Sequence, residues 1–256
     1  MSKPTVGAQL FTVRAHTRTL PDIAETLRRI REIGYTHVQI SGFGPVDAKD
    51  VANAVQAAGV EVSCTHMGWP RFLNELDRVI EEHRWWGCRH CAIGGLPGDY
   101  HSAEGLQRFV KELEPIAARL ADAGMDFSYH NHNHEFIPID GEPWLARLYE
   151  TAPADVLKAE LDTYWVQAGG ADPAAWIRKC AGRAPLLHLK DMTVAEGREQ
   201  RFAPIGEGNM NWPAILEAAE AAGVEYMLVE QDNCYGRDPF DCLAASYAQL
   251  RAWGYR

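Results

Sequence analysis

The stretch Leu27-Arg28-Arg29-Ile30-Arg31-Glu32-Ile33-Gly34-Tyr35-Thr36-His37-Val38-Gln39-Ile40 joins two periodicities at one glycine. Before Gly34, the residues Ile23, Leu27, Ile30 and Ile33 recur at the spacing of a single helix face. After it, Tyr35 to Ile40 is rich in the aromatic and β-branched residues that favour a strand. A glycine suits the left-handed residue that closes a helix, so the strand can begin at once. The same join recurs at Gly59, Gly87, Gly124 and Gly223, and Gly182 stands just before Leu186-Leu187-His188-Leu189. One junction lacks glycine, and there Thr151-Ala152-Pro153 makes the break.

Working outward, strands are expected near 5–10, 36–41, 60–66, 90–94, 125–130, 156–161, 186–190 and 225–230, with a helix after each. Helix starts are marked by Pro21-Asp22, Pro70, Pro143, Asp172-Pro173, Pro213 and Asp238-Pro239. One helical face is read through Phe72, Leu76, Val79 and Ile80, and another through Leu106, Phe109, Val110, Leu113, Ile116 and Leu120. Eight βα units fill 256 residues from end to end, which fits an α/β fold of one (β/α)8 TIM barrel, a single domain over 1–256. An open doubly wound sheet is the alternative, but no G-x-G-x-x-G follows the first strand.

Composition narrows the function. The chain carries a formal charge of −10, a poor match to a nucleic-acid backbone. No apolar run reaches the length of a membrane span, and MSKPTVGAQLF has no secretory pattern. The six cysteines are too scattered for a disulfide framework. A cytoplasmic protein with reduced thiols is therefore expected. Cys88-Arg-His-Cys91 lies at a strand start, away from the chemistry.

In a (β/α)8 barrel the active site lies at the carboxyl ends of the strands. Those ends here carry Gln9, His66, the block Tyr129-His130-Asn131-His132-Asn133-His134-Glu135-Phe136, Glu160-Leu161-Asp162, His188-Leu189-Lys190-Asp191 and Glu230-Gln231-Asp232. Mid-strand positions such as Val38, Ile40, Val62, Leu187 and Val229 are apolar. Mixed imidazole and carboxylate donors suit Mn, Co, Zn or Fe better than calcium. Each such residue could equally cap the next helix. Lys190 and Asp191 could pair with each other, and Trp85-Trp86 reads as core or as contact surface for a homo-oligomer.

At these positions the chain resembles the xylose isomerase-like TIM barrel superfamily, the sugar phosphate isomerase/epimerase group, over essentially its whole length. The marks are Val6-Gly-Ala-Gln9-Leu-Phe-Thr-Val-Arg14, Tyr129-His-Asn-His-x-x-Glu135-Phe136, Leu161-Asp162-Thr-Tyr-Trp165, His188-Leu-Lys190-Asp191, Gly206-Glu207-Gly208 and Val229-Glu230. The resemblance implies one divalent metal ion held by a glutamate after strand five, an aspartate after strand six, a histidine after strand seven and a glutamate after strand eight. Asp162, His188 and Glu230 match the last three. At strand five the sequence departs from the family, with His130 where a glutamate is usual and Glu135 as the nearest carboxylate, and both stay open as ligand.

The implied chemistry is removal of a proton α to a carbonyl of a sugar or polyol ketone through an enediolate, that is, isomerisation or epimerisation. Glu230, Glu135 and His132 are the expected acid/base groups, and His66, Lys190, Glu207 and Trp165 the expected substrate contacts. The Tyr-His-Asn-His block also resembles lyases and hydrolases of 3-keto-glycosides, and inosose dehydratases. A DNA-repair endonuclease on the same barrel would need more metal ligands and a basic face.

Overall fold

The computed structural model describes residues 3–256. Eight parallel strands close into a barrel: β1 Thr5–Gln9, β2 His37–Ile40, β3 Glu61–His66, β4 His90–Ile93, β5 Asp126–His130, β6 Lys158–Asp162, β7 Leu186–Leu189 and β8 Tyr226–Val229. Each strand pairs with its neighbours in sequence, and β1 closes on β8 with Val6 opposite Met227 and Ala8 opposite Val229. This is a single (β/α)8 TIM barrel, as the alternation of helix, glycine and strand predicts.

The junctions work as their residues require. The helix Leu20–Ile33 starts in a reciprocal cap between Thr19 and Asp22. It buries Ile23, Leu27 and Ile30 completely. The helices Ala48–Ala58 and Trp212–Ala222 end on Gly59 and Gly223, at φ 67° and 76°, where a side chain would strain the backbone. One expected helix differs. Phe72 and Leu76 lie on two segments, Trp69–Asn74 and Leu76–Trp86, separated at Glu75 with φ −133°. The Asn74 side-chain amide donates to the Pro70 carbonyl and ends the first segment. Trp69 is buried against Phe72, Phe109 and Phe127, so it packs the core and does not face a ligand.

The barrel lumen is layered, and the layering positions the site. Cys64, Ala92, Leu186 and Leu228 form a small buried apolar group of their own. Two residues further along the same strands stand His66, Gly94, His188 and Glu230, which the two-residue period of a strand places on the same side. Apolar packing thus plugs the barrel beneath a polar layer at the carboxyl end. A cavity of about 800 Å³ opens at the opposite end beside His37, Trp85, Arg89 and Tyr226, away from that layer.

One antiparallel hairpin, Asp191–Val194 with Gln200–Ala203, is inserted after β7. Its root, Asp191, is fully buried. The carboxylate accepts from the amides of Met192, Gly206, Gly208 and Met210 and from Trp212 Nε1, at 2.8–3.2 Å. A Cβ on Gly208 would fall 2.3 Å from Asp191 Oδ1, so glycine is required there. Removing the carboxylate strands five donors. Asp191→Ala is expected to cost about 3–5 kcal/mol in chemical denaturation, with Asp191→Asn costing less.

His83 gives the fold a pH dependence. It is fully buried, with Nδ1 donating to the Val79 carbonyl and Nε2 facing the Thr65 hydroxyl at 2.7 Å each. Burial lowers its pKa to about 4, so the folded state holds it neutral. Its stability contribution is complete above the unfolded pKa near 6.5 and is lost as pH falls towards 4. Between pH 7 and 4.5, wild type should lose about 2–3 kcal/mol more than His83→Gln in urea unfolding. Equal losses would show that His83 is not the group responsible.

Candidate active site at the carboxyl end of the barrel

The site is assembled around His188. Its Nδ1 lies 2.7 Å from Glu230 Oε2 and 3.7 Å from Asp162 Oδ2. On the other side Nε2 lies 2.6 Å from Gln39 Oε1 and 3.2 Å from Glu160 Oε1. Gln39 Nε2 donates in turn to Glu160 Oε1 at 2.8 Å, which fixes the amide. Burial works against a charge on His188, but Glu160 and Glu230 raise its pKa to about 10. Burial likewise opposes ionisation of Glu160, yet His188 and His66 outweigh it and hold its pKa well below the carboxylate range. His66 Nε2 meets Glu160 Oε2 at 2.5 Å.

Asp162 serves two roles with its two oxygens. Oδ1 accepts from Trp165 N at 3.0 Å and caps the helix Thr163–Ala168. Oδ2 is buried with no hydrogen-bond partner. Lys190 Nζ is 3.1 Å from it, but off a hydrogen-bonding line. Burial pushes the Asp162 pKa up to about 6 against the pull of Lys190.

Lys190 is buried among three carboxylates, with Nζ 3.1 Å from Asp162, 2.9 Å from Glu230 and 2.8 Å from Asp232. It does not pair with Asp191, which faces the other way into its cage of amides. Burial opposes the Lys190 charge, and Asp162, Glu230 and Asp232 more than compensate, raising its pKa. Glu230 is held well below the carboxylate range, because Lys190 and His188 overcome its burial.

At strand five the structure brings His130, not Glu135, to this group. His130 Nε2 is 3.9 Å from Asp162 Oδ2, and its ring packs 4.3 Å from that of His188. Burial, reinforced by His188, keeps it neutral, with its pKa well below the ordinary value. Glu135 is turned to the outside of the barrel, where Tyr129 Oη and the His132 amide donate to it at 2.8 Å each. The reason is chain geometry: Glu135 lies on a 3-10 turn beyond the strand and follows the outward face of Tyr129.

A cavity of about 360 Å³ opens over the site, and His66, Gly94, His130, His132, Lys190, Glu230 and Asp232 line it. His132 Nδ1 is buried without a partner, and burial lowers its pKa to about 4. Trp165 is half-buried at the rim, 5.3 Å from the His132 ring and 5.6 Å from Lys190 Nζ. Glu207 is not brought to the cavity. It is exposed and paired with Arg237, because Asp191 anchors the glycines on either side of it and leaves its side chain outward.

The residues fit a divalent metal. Asp162, His188 and Glu230 each turn one donor atom to a common point, within 4.8 Å of one another. Asp162 Oδ2 accepts no hydrogen bond. Glu160, Asp162, Glu230 and Asp232 exceed the charge of Lys190 and a protonated His188. Gln39 would hold His188 in the ligating orientation, a role the sequence reading missed. The available signal was a lone polar residue in the apolar strand Val38-Gln39-Ile40. Asn131 was also missed. Its Oδ1 accepts from Asp162 N at 3.1 Å and fixes the end of β6.

The family described as xylose isomerase-like TIM barrel matches residues 27–246. The chain is 21% identical to the rhizopine catabolism protein MocC of Rhizobium meliloti, over 89% of this chain and 79% of that protein. It is 22% identical to an inosose dehydratase of Geobacillus kaustophilus, over 66% of this chain and 61% of that enzyme. A solved sugar phosphate isomerase/epimerase from Parabacteroides distasonis superposes with a TM-score of 0.83 at 23% identity, covering 99% and 96% of the two chains. With a closed eight-stranded barrel and a family match over residues 27–246, the chain belongs to the xylose isomerase-like TIM barrel family.

Proposed function

We propose that the protein is a divalent-metal-dependent isomerase or epimerase of a sugar or polyol ketone, working by removal of the proton next to the carbonyl. The observation that carries this reading is the buried Asp162 Oδ2, which lacks a hydrogen-bond partner and faces His188 and Glu230 beneath an open cavity. Asp162, His188, Glu230 and His130 are the proposed ligands. When bound, the ion would polarise a ketone oxygen and stabilise the negative charge that develops beside it.

The chain's own groups divide the remaining work. Lys190, the buried ammonium facing the cavity, orients a substrate oxygen. Glu230 is placed between His188 and Lys190, which favours its ionised form and makes it a ligand rather than a base. Proton transfer falls instead to His66 on the cavity wall. His66 is tied by Nε2 to Glu160, and its Nδ1 lies on the side of Gly94, where a Cβ would stand 3.1 Å away. His132, whose pKa burial lowers to about 4, offers a neutral ring with Nδ1 untied that would hydrogen-bond the substrate. A positioned general base contributes about 10²–10⁴-fold in rate. Trp165 and Phe11 would flank the ring of a bound sugar.

β-Elimination is the second reading. At strand five the block Tyr129-His130-Asn131-His132 resembles that of lyases acting on 3-keto-glycosides and of inosose dehydratases. The similarity to an inosose dehydratase points the same way. The charge of −10 speaks against a nucleic-acid substrate. Among the described residues no helix is long and apolar enough to cross a membrane.

The experiment is incubation in D2O with Mn, Co or Zn and with free ketoses, inososes and 3-keto-glycosides in turn. Deuterium should enter at the carbon next to the carbonyl, and only with metal present. His66→Gln should slow this exchange about 100-fold or more while the bound metal stays. Glu230→Gln should release metal. Exchange at the wild-type rate in chelator-treated protein would overturn the metal, and exchange with none of the three classes would overturn the reaction.

A further inference from the structure

A second group of ligand-type side chains lies outside the barrel mouth, on the outer side of β5. Glu135 is its fixed point. The residue is fully buried, and its carboxylate is held at both ends, with Tyr129 Oη donating to Oε1 and the His132 amide donating to Oε2, each at 2.8 Å. That leaves Oε1 facing two imidazoles. His134 Nε2 stands 3.1 Å away and His101 Nε2 3.8 Å away. The rings of His101 and His134 meet edge to face, 4.8 Å between centroids. His101 comes from the segment leading into the helix Ala103–Asp122, on the far side of the β4 connection, and its ring also rests on Trp144 at 4.9 Å.

An ordinary ion pair between His134 and Glu135 accounts for part of this arrangement. His101 is the loose member: its Nε2 is buried, stands 3.8 Å from the same oxygen, within ion-pair range, and completes no hydrogen bond. A hydrogen-bonded scaffold would have satisfied that atom. The three donor atoms lie within 4.8 Å of one another, with His134 Nε2 at 3.1 Å and His101 Nε2 at 3.8 Å from Glu135 Oε1, so the ~3.3 Å ligand separation of a tetrahedral zinc ion is reached once the His101 ring moves inward. Two imidazole nitrogens and one carboxylate select a transition metal over calcium or magnesium.

We propose that His101, His134 and Glu135 form a second metal site, selective for zinc or cobalt and separate from the Asp162, His188 and Glu230 group. The half-exposed His134 puts the fourth position towards solvent. Tyr129 and the His132 amide act as the outer partners that orient the carboxylate. The ion clasps the loop after β4 to the loop after β5, and the second of these carries His132 into the cavity. The rings of His132 and His134 lie nearly parallel, 5.5 Å apart, so the clasp bears on His132 directly. Its role is positioning, with no part in the chemical step.

The test is calorimetric titration of zinc into chelator-treated full-length protein. Wild type should bind two equivalents. His134→Ala alters an exposed side chain and His101→Ala a largely buried one, and each should lose one equivalent and part of the rise in melting temperature that zinc produces. Asp162→Asn should lose the other equivalent and keep this one. An unchanged stoichiometry in both histidine variants would overturn the site, as would wild type binding one equivalent that only Asp162→Asn removes. One equivalent lost in the histidine variants and kept in Asp162→Asn would support this site and sink the metal of the proposed reaction, so the two readings fail separately.

Discussion

Four carboxylates, Glu160, Asp162, Glu230 and Asp232, converge at one end of a closed barrel, and three of them are almost wholly removed from water. Isolated there, each ion would cost several kcal/mol. The surrounding structure answers that cost. Lys190 reaches three of the four, His188 reaches three, and Gln39 and His66 satisfy Glu160. These groups come from β2, β3, β6, β7 and β8 or their immediate ends, so the site cannot form until the barrel has closed.

The two-residue period of the strands does the sorting. Beneath the charged layer, Cys64, Ala92, Leu186 and Leu228 fill the lumen with small and aliphatic groups that make no demand on hydrogen bonding. One step up, three of the same strands present His66, His188 and Glu230, and the fourth presents Gly94. The glycine leaves open the space that a side chain there would occupy, and His66 borders that space. The cavity therefore owes as much to a missing side chain on β4 as to the ionisable ones around it. The neighbouring pair Lys190 and Asp191 shows the same alternation. One enters the charged layer, and the other leaves it to anchor the loop through Gly206 and Gly208.

This period also explains what the sequence revealed and where it stopped. Strand positions, the closed architecture and the convergence of His66, His130, Asp162, His188 and Glu230 follow from helix ends and strand parity, both local properties. Glu135 and Glu207 lie on turns past the strand ends, where parity no longer holds. Glu135 follows Tyr129 to the outside, and Glu207 is carried outward by the anchored glycines. Gln39 and Asn131 escaped notice for another reason. Neither is ionisable, and their importance depends on hydrogen bonds to Glu160, His188 and Asp162, residues that are remote in sequence. The break at Glu75 was invisible because an apolar face can run straight through two helices.

The replacement of a carboxylate by His130 has consequences for the neighbouring charges. A fifth acidic group in this layer would need a further compensating cation, and Lys190 already serves three carboxylates. An imidazole kept neutral by burial supplies a donor atom without adding negative charge. Lys190 and His188 meanwhile hold Glu230 in its ionised form. His66, with its Glu160 partner, and the untied His132 are the two imidazoles that line the cavity beside this layer. The lysine that balances the buried acids and the histidine that replaces one of them thus act together. They limit the net negative charge that this end of the closed barrel has to bury.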